Sequence, residues 1–155
     1  VWSVTDDALR SGDVINTVSG NMAGMEKCFC LAADGDIAFL SPTDRGAGLY
    51  KLFEDFDVIP AYLSKKELKG LFGLVVRAQS AQSVQPVKGQ NGKDGIYLSS
   101  FLKLLVMTAL HGLSKTSAFN SLYPTVKVLL LCFIAHTCSR LPISLCSYLI
   151  IYFCF

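Results

Sequence analysis

The feature that most constrains this chain is a pair of amphipathic helix patterns joined by a marked corner, running from Leu49 to Val76 as LYKLFEDFDVIPAYLSKKELKGLFGLVV. Leu49, Leu52, Phe53 and Phe56 fall at i, i+3, i+4 and i+7, so they share one stripe of a helix. Lys51, Glu54, Asp55 and Asp57 mostly face the other way. Pro60 is expected to close this helix, because the residue before a proline is driven out of the α region. The next helix is predicted to open at Ser64 as N-cap, with Glu67 three residues on completing a capping box. Leu63 and Leu68 stand where a hydrophobic staple needs them, and Leu68, Leu71, Phe72 and Val75 then repeat the apolar spacing. The pair contains no nucleophile, no paired acid and base, and no phosphate loop. It specifies an architecture and a binding style rather than an activity.

Beyond Val76 the segment AQSAQSVQPVKGQNGKDG is rich in Gln, Ser and Gly and reads as a long flexible loop. It leads through Ile96, Tyr97 and Leu98 into SSFLKLLVMTALHGL, whose only full charge is Lys103, so this helix must be buried. Ser99 or Ser100 is expected to cap its start, and Gly112 suits a left-handed C-cap at its end. Residues 1–46 are poorly defined by pattern. The opening VWSVTDDALRSGD suggests a short helix capped by Thr5 with Leu9 and Trp2 as contacts, after which Gly12, Gly20 and Gly24 interrupt any long period. Met25 to Leu31 is mostly apolar, and an Asp34-Gly35 turn leads into a short extended run, Ile37 to Leu40. Ser41 to Gly46 forms a polar connector.

A chain of 155 residues can bury one ordinary core, so a single main domain is expected. The formal charge of +2, with its Lys and Arg scattered, argues against capture of a nucleic-acid backbone. Cys28, Cys30, Cys132, Cys138, Cys146 and Cys154 show no CxxC spacing, and they read as reduced, small apolar residues rather than a disulfide framework or metal site. The sequence begins at Val1 with no basic-then-apolar leader, so no secretory signal is expected.

On the spacing from Ile96 to Phe101, the segment from Lys65 to Leu113 resembles a degenerate EF-hand, a helix, twelve-residue loop and helix with Gly at loop position 6, an aliphatic residue at 8 making a short inter-loop β contact and a bidentate Glu at 12. With Ile96 at position 8, Phe101 falls at 13, where the exiting helix of that family usually starts with Phe. The metal positions are then Gly89 at 1, Asn91 at 3, Lys93 at 5 and Ser100 at 12, with Asp94 at 6 where Gly is expected. Such a loop has too little negative charge for calcium. Placing Gly95 at 6 instead puts Phe101 at 12 and is no better. A parallel reading of Asp34 to Ser41 gives Gly35 at 6 and Ile37 at 8, with Ser41 at 12 and Pro42 at 13. The phrase DFDVIPAYLSKKEL followed by an apolar helix also resembles EF-hand-like proteins of cilia, flagella and related cytoskeletal structures. The resemblance implies a helical, calcium-independent interaction module and carries over no catalytic residue. A helical bundle without EF-hand ancestry would show the same stripes.

From Val128 to Phe155 the only ionisable side chains besides cysteines and tyrosines are His136 and Arg140. A spanning helix needs about 20 apolar residues in a row, and here VLLLCFIA is broken after eight by His136, Thr137, Ser139, Arg140 and Pro142. Two short helices or an irregular apolar appendage bent around Arg140 to Pro142 are expected, the alternatives being a membrane anchor through 128–155 or read-through of a non-coding boundary. Among catalytic readings, nothing in the sequence brings Cys28 or Cys30 to His111. His111 reads as a residue placed against a helix dipole, and Glu54, Asp55 and Asp57 as a solvated face. The expectation is therefore a mainly α protein: a poorly defined segment 1–46, an EF-hand-like helix-loop-helix array or small helical bundle at 47–115, and an apolar tail at 116–155. It is expected to be a cytoplasmic non-enzyme that needs no cofactor or metal, does not bind nucleic acid, and takes a protein partner helix. Phe53, Phe56, Leu71, Phe72, Phe101 and Leu105 would build its core or its groove. The alternative is a membrane-associated protein held by the tail.

Overall fold

The computed structural model describes residues 7, 10–42, 47–82 and 92–115. The expected N-terminal helix around Thr5, most of the polar loop and the whole apolar tail lie outside the described residues. The protein is mainly helical, with one small sheet. Helix α1 (Gly12–Gly20) precedes two helix–strand–helix halves. The first consists of α2 (Met22–Ala32), a hairpin of β1 (Ala33–Asp34) and β2 (Ile37–Phe39), and α3 (Gly48–Asp55). The second consists of α4 (Lys65–Gln82), β3 (Gly95–Ile96) and α5 (Leu98–Gly112), with a short 3₁₀ turn at Leu113–Lys115. The strand order is β1-β2-β3, all antiparallel, so the sheet joins the two halves.

Of the segment expected to be poorly defined, 1–46, residues 10–42 are built into the same core as the rest. Val14, Met25, Cys28, Phe29, Ala32 and Ala38 belong to one buried cluster with the residues of α3, α4 and α5. Glycines 12, 20 and 24 hid this from pattern reading. Gly12 and Gly20 are the terminal residues of α1, while Gly24 is buried inside α2, so none breaks a helix in mid-course. The Asp-Gly turn forms as expected: Asp34 pairs with Ile37, leaving Gly35 and Asp36 as a two-residue loop in which Gly35 has φ +67°.

The corner differs from expectation in how it is made. Helix α3 stops at Asp55, well before Pro60, because Asp57 adopts the left-handed conformation at φ 54°. The N–H groups of Val58 and Ile59 then fold back onto the Phe53 carbonyl at 3.0 and 3.1 Å, satisfying an otherwise orphaned acceptor. Aspartate is one of the few side chains that tolerates this backbone. The capping box is present as predicted: the Glu67 N–H donates to Ser64 Oγ at 3.3 Å, and the Ser64 N–H donates to Glu67 Oε2 at 2.9 Å. Leu63 and Leu68, the staple pair, are both fully buried.

Helix α5 is the most buried element, as its lack of charge requires, with Phe101 and Leu104 to Ala109 all inside. Its caps are not the expected ones. Tyr97, in extended conformation, precedes the first turn, and neither Ser99 nor Ser100 caps it. Gly112 is not a left-handed stop, because the chain continues into the 3₁₀ turn. Glycine is needed there for space: a Cβ would meet Leu63 Cδ1 at 2.8 Å. Similarly, α3 has no side-chain N-cap. The Tyr50 N–H in its first turn donates to the Leu40 carbonyl at 3.0 Å, which brings residues 41–42 against Gly48.

Candidate functional site

All six residues expected to form the core or groove fall in one cluster, on α3, its C-terminal end, α4 and α5. Phe53 and Phe101 are at its centre, 1% and 0% exposed, whereas Phe56, Leu71, Phe72 and Leu105 are 6 to 8% exposed and mark its margin. Phe101 meets Phe29 of α2 with ring centroids 5.5 Å apart and planes tilted by 56°, so the first and second halves touch through an aromatic pair. All six are core residues.

The two loops meet at the sheet. Ala38 of β2 stands opposite Ile96, and Phe39 opposite Gly95. Ile96 of β3 therefore pairs with Ala38, while Ile37 pairs with Asp34 of β1. Gly95 is dictated by this approach, since a Cβ there would lie 2.0 Å from Ile37 Cγ2.

On the outer edge of β3 stands Gln79, from the stretch whose polarity predicts a loop. Its Nε2–H donates to the Gly95 carbonyl and its Oε1 accepts the Tyr97 N–H, both at 3.0 Å. The stretch AQSAQ was read as loop for its polarity, yet α4 continues through it to Gln82. The signal that finds Gln79 is the stripe itself. Leu68, Phe72, Val75 and position 79 fall at i, i+4, i+7 and i+11, so a helix carried onward points Gln79 inward.

At the other end of the α4–α5 pair lies a polar corner. Glu67 Oε1 receives the Lys115 ammonium and lies 3.5 Å from His111 Nε2, while Oε2 accepts from the Ser64 N–H and hydroxyl. Lys115, with the Ser64 N–H and hydroxyl, holds the Glu67 carboxyl down to about 2. The acidic run expected to be a solvated face is engaged in ion pairs: Asp55 with Lys51 one turn earlier, and Glu54 with Lys65 at 2.6 Å, across the corner between α3 and α4. Lys65 also lies 5.6 Å from the Tyr50 ring centroid.

Cys28 is buried on α2, and burial pushes its thiol up to about 11, far from a thiolate at neutral pH; Cys30 is exposed. Among the described residues no three His, Cys, Asp or Glu side chains are grouped to hold a metal ion, and no helix is long and apolar enough to cross a membrane. No family model, no curated protein and no solved structure matches the chain.

Proposed function

We propose that this protein is a non-catalytic, cytoplasmic interaction module of degenerate EF-hand type, which takes an amphipathic partner helix against the α4–α5 pair without calcium. The observation that carries the reading is the antiparallel contact between β2 and β3, which joins two helix–strand–helix halves through their loops. In an EF-hand, metal ligands organise each loop around such a contact. Here Lys93 and Ser100 occupy ligand positions 5 and 12 of the second loop, and the polar groups flanking Ile96 are satisfied by Gln79 instead. The one-residue offset that puts Ala38 opposite Ile96 fits a first loop that has drifted further from the family pattern. Phe56, Leu71, Phe72 and Leu105 are buried at 6 to 8% exposure, so a partner helix would reach them only if the α4–α5 pair moved apart.

The test is a titration of the full chain, in chelator, with amphipathic helical peptides, followed by amide chemical shifts. Binding is expected to move Leu71, Phe72 and Leu105 and to be unaffected by added calcium. A micromolar calcium isotherm in calorimetry would overturn the calcium-independent part, and absence of any peptide-induced shift up to millimolar concentration would overturn the binding mode.

A further inference from the structure

We propose that Gln79 is a latch that fixes the β3 end of the α4–α5 pair. This concerns the unliganded fold and stands independently of the partner-helix reading. In an antiparallel strand, the C=O of one residue and the N–H of the next but one point to the same side, opposite to the groups of the residue between them. Ile96 faces β2, so the Gly95 carbonyl and the Tyr97 N–H face outward, along the edge of β3 that none of the described strands occupies. A single primary amide presents an N–H donor beside an acceptor oxygen, at the spacing needed to pair both. Gln79 supplies them from the last turns of α4, bridging 16 and 18 residues of sequence, and it acts as one residue of an additional strand. The edge is thereby closed to other strands.

The two ends of the helix pair are fastened by different chemistry. Gln79 is 7% exposed, and breaking its bonds leaves three buried or half-buried polar groups unpaired. The Glu67 side chain is 34% exposed and those of His111 and Lys115 are 38% and 42%, so water and salt readily replace their contacts. The β3 end of the pair therefore depends on Gln79, whereas at the other end the exposed Glu67 contacts add little to the packing of buried Leu63, Leu68 and Leu113.

Amide hydrogen exchange on the full chain tests this. Gln79→Met keeps the side-chain volume and removes both bonds. The Tyr97 amide, and the Phe101 amide that donates to the Tyr97 carbonyl, are expected to exchange about tenfold faster or more, while the Tyr50 amide beside Leu40 stays within about twofold. Glu67→Gln is expected to leave Tyr97 within about twofold. Should Gln79→Met fail to fold, Gln79→Lys, which retains a donor for the Gly95 carbonyl and loses the acceptor for Tyr97, is read by the same comparison. Equal acceleration of Tyr97 and Tyr50 would make Gln79 an ordinary contributor to global stability, and no acceleration would make the clasp irrelevant. Either result overturns the proposal, as does an equal response of Tyr97 to Glu67→Gln.

Discussion

Replacing Phe101 by alanine is expected to remove about 3 to 5 kcal/mol of stability, because the side chain is 0% exposed at the centre of the cluster and leaves a cavity that α5 cannot collapse into. Phe29 is 6% exposed and nearer the edge, so its alanine variant should fall at the lower end, about 3 kcal/mol. The sum of about 6 to 8 kcal/mol approaches the whole stability of a typical domain, about 5 to 15 kcal/mol, so the coupling between them is better measured with leucine at each site. A tilted aromatic pair at 5.5 Å contributes about 0.5 to 1.5 kcal/mol beyond buried area, and this is the coupling energy a Phe29→Leu, Phe101→Leu cycle should return. Urea melts at constant m-value provide the four stabilities. The pair tests whether residues 10–42 belong to the same cooperative unit as 47–115. Additivity within about 0.3 kcal/mol, or a Phe29→Ala loss below about 1 kcal/mol, would refute the single core. So would a fragment of residues 47–115 that melts with the stability of the full chain.

Ser64→Ala should lower stability by about 0.5 to 2 kcal/mol in a chemical melt, since it removes one half of a reciprocal cap, while Lys65→Ala, whose pair with Glu54 is exposed, should cost less than about 1 kcal/mol. Glu67 is ionised more readily in the folded than in the unfolded chain, so its contribution is present above the ordinary carboxyl value near 4.5 and is lost as pH falls toward about 2. Melting temperatures of the native chain and Glu67→Gln should therefore differ at neutral pH and converge at about pH 2; a constant difference across that range would refute the assignment. Gly48→Ala should cost about 2 kcal/mol or more in thermal or urea melts, because its φ is +69° and a Cβ would lie 2.6 Å from the Ser41 carbonyl carbon. Gly70→Ala, in the exposed middle of α4 with nothing within 4 Å, should instead stabilise by about 0.5 to 1 kcal/mol.

What the sequence determined by itself was local. The stripe Leu49, Leu52, Phe53 and Phe56, the capping box at Ser64 and Glu67, the Asp34-Gly35 turn and the uncharged α5 all read correctly, because each rests on contacts within a few residues or on a helical period. The mainly helical class followed from them. Tertiary structure decided the rest. Pro60 looked like the helix stop, but the left-handed backbone of Asp57, held by folded-back Val58 and Ile59, ends α3 first. Ser99 and Ser100 looked like caps, but pairing of β3 with β2 sets where α5 begins and leaves Tyr97 at that position. Gly112 looked like a C-cap, and it is the room Leu63 needs. Residues 10–42 looked poorly defined because α1 and α2 are short and carry weak stripes. They acquire a place only when Met25, Cys28 and Phe29 meet α3 and α5, a contact that no local period encodes. Gln79 shows the same division. Its inward position on α4 is written in the spacing from Leu68, but its role is fixed by backbone groups 16 and 18 residues away, which only the folded chain brings within reach.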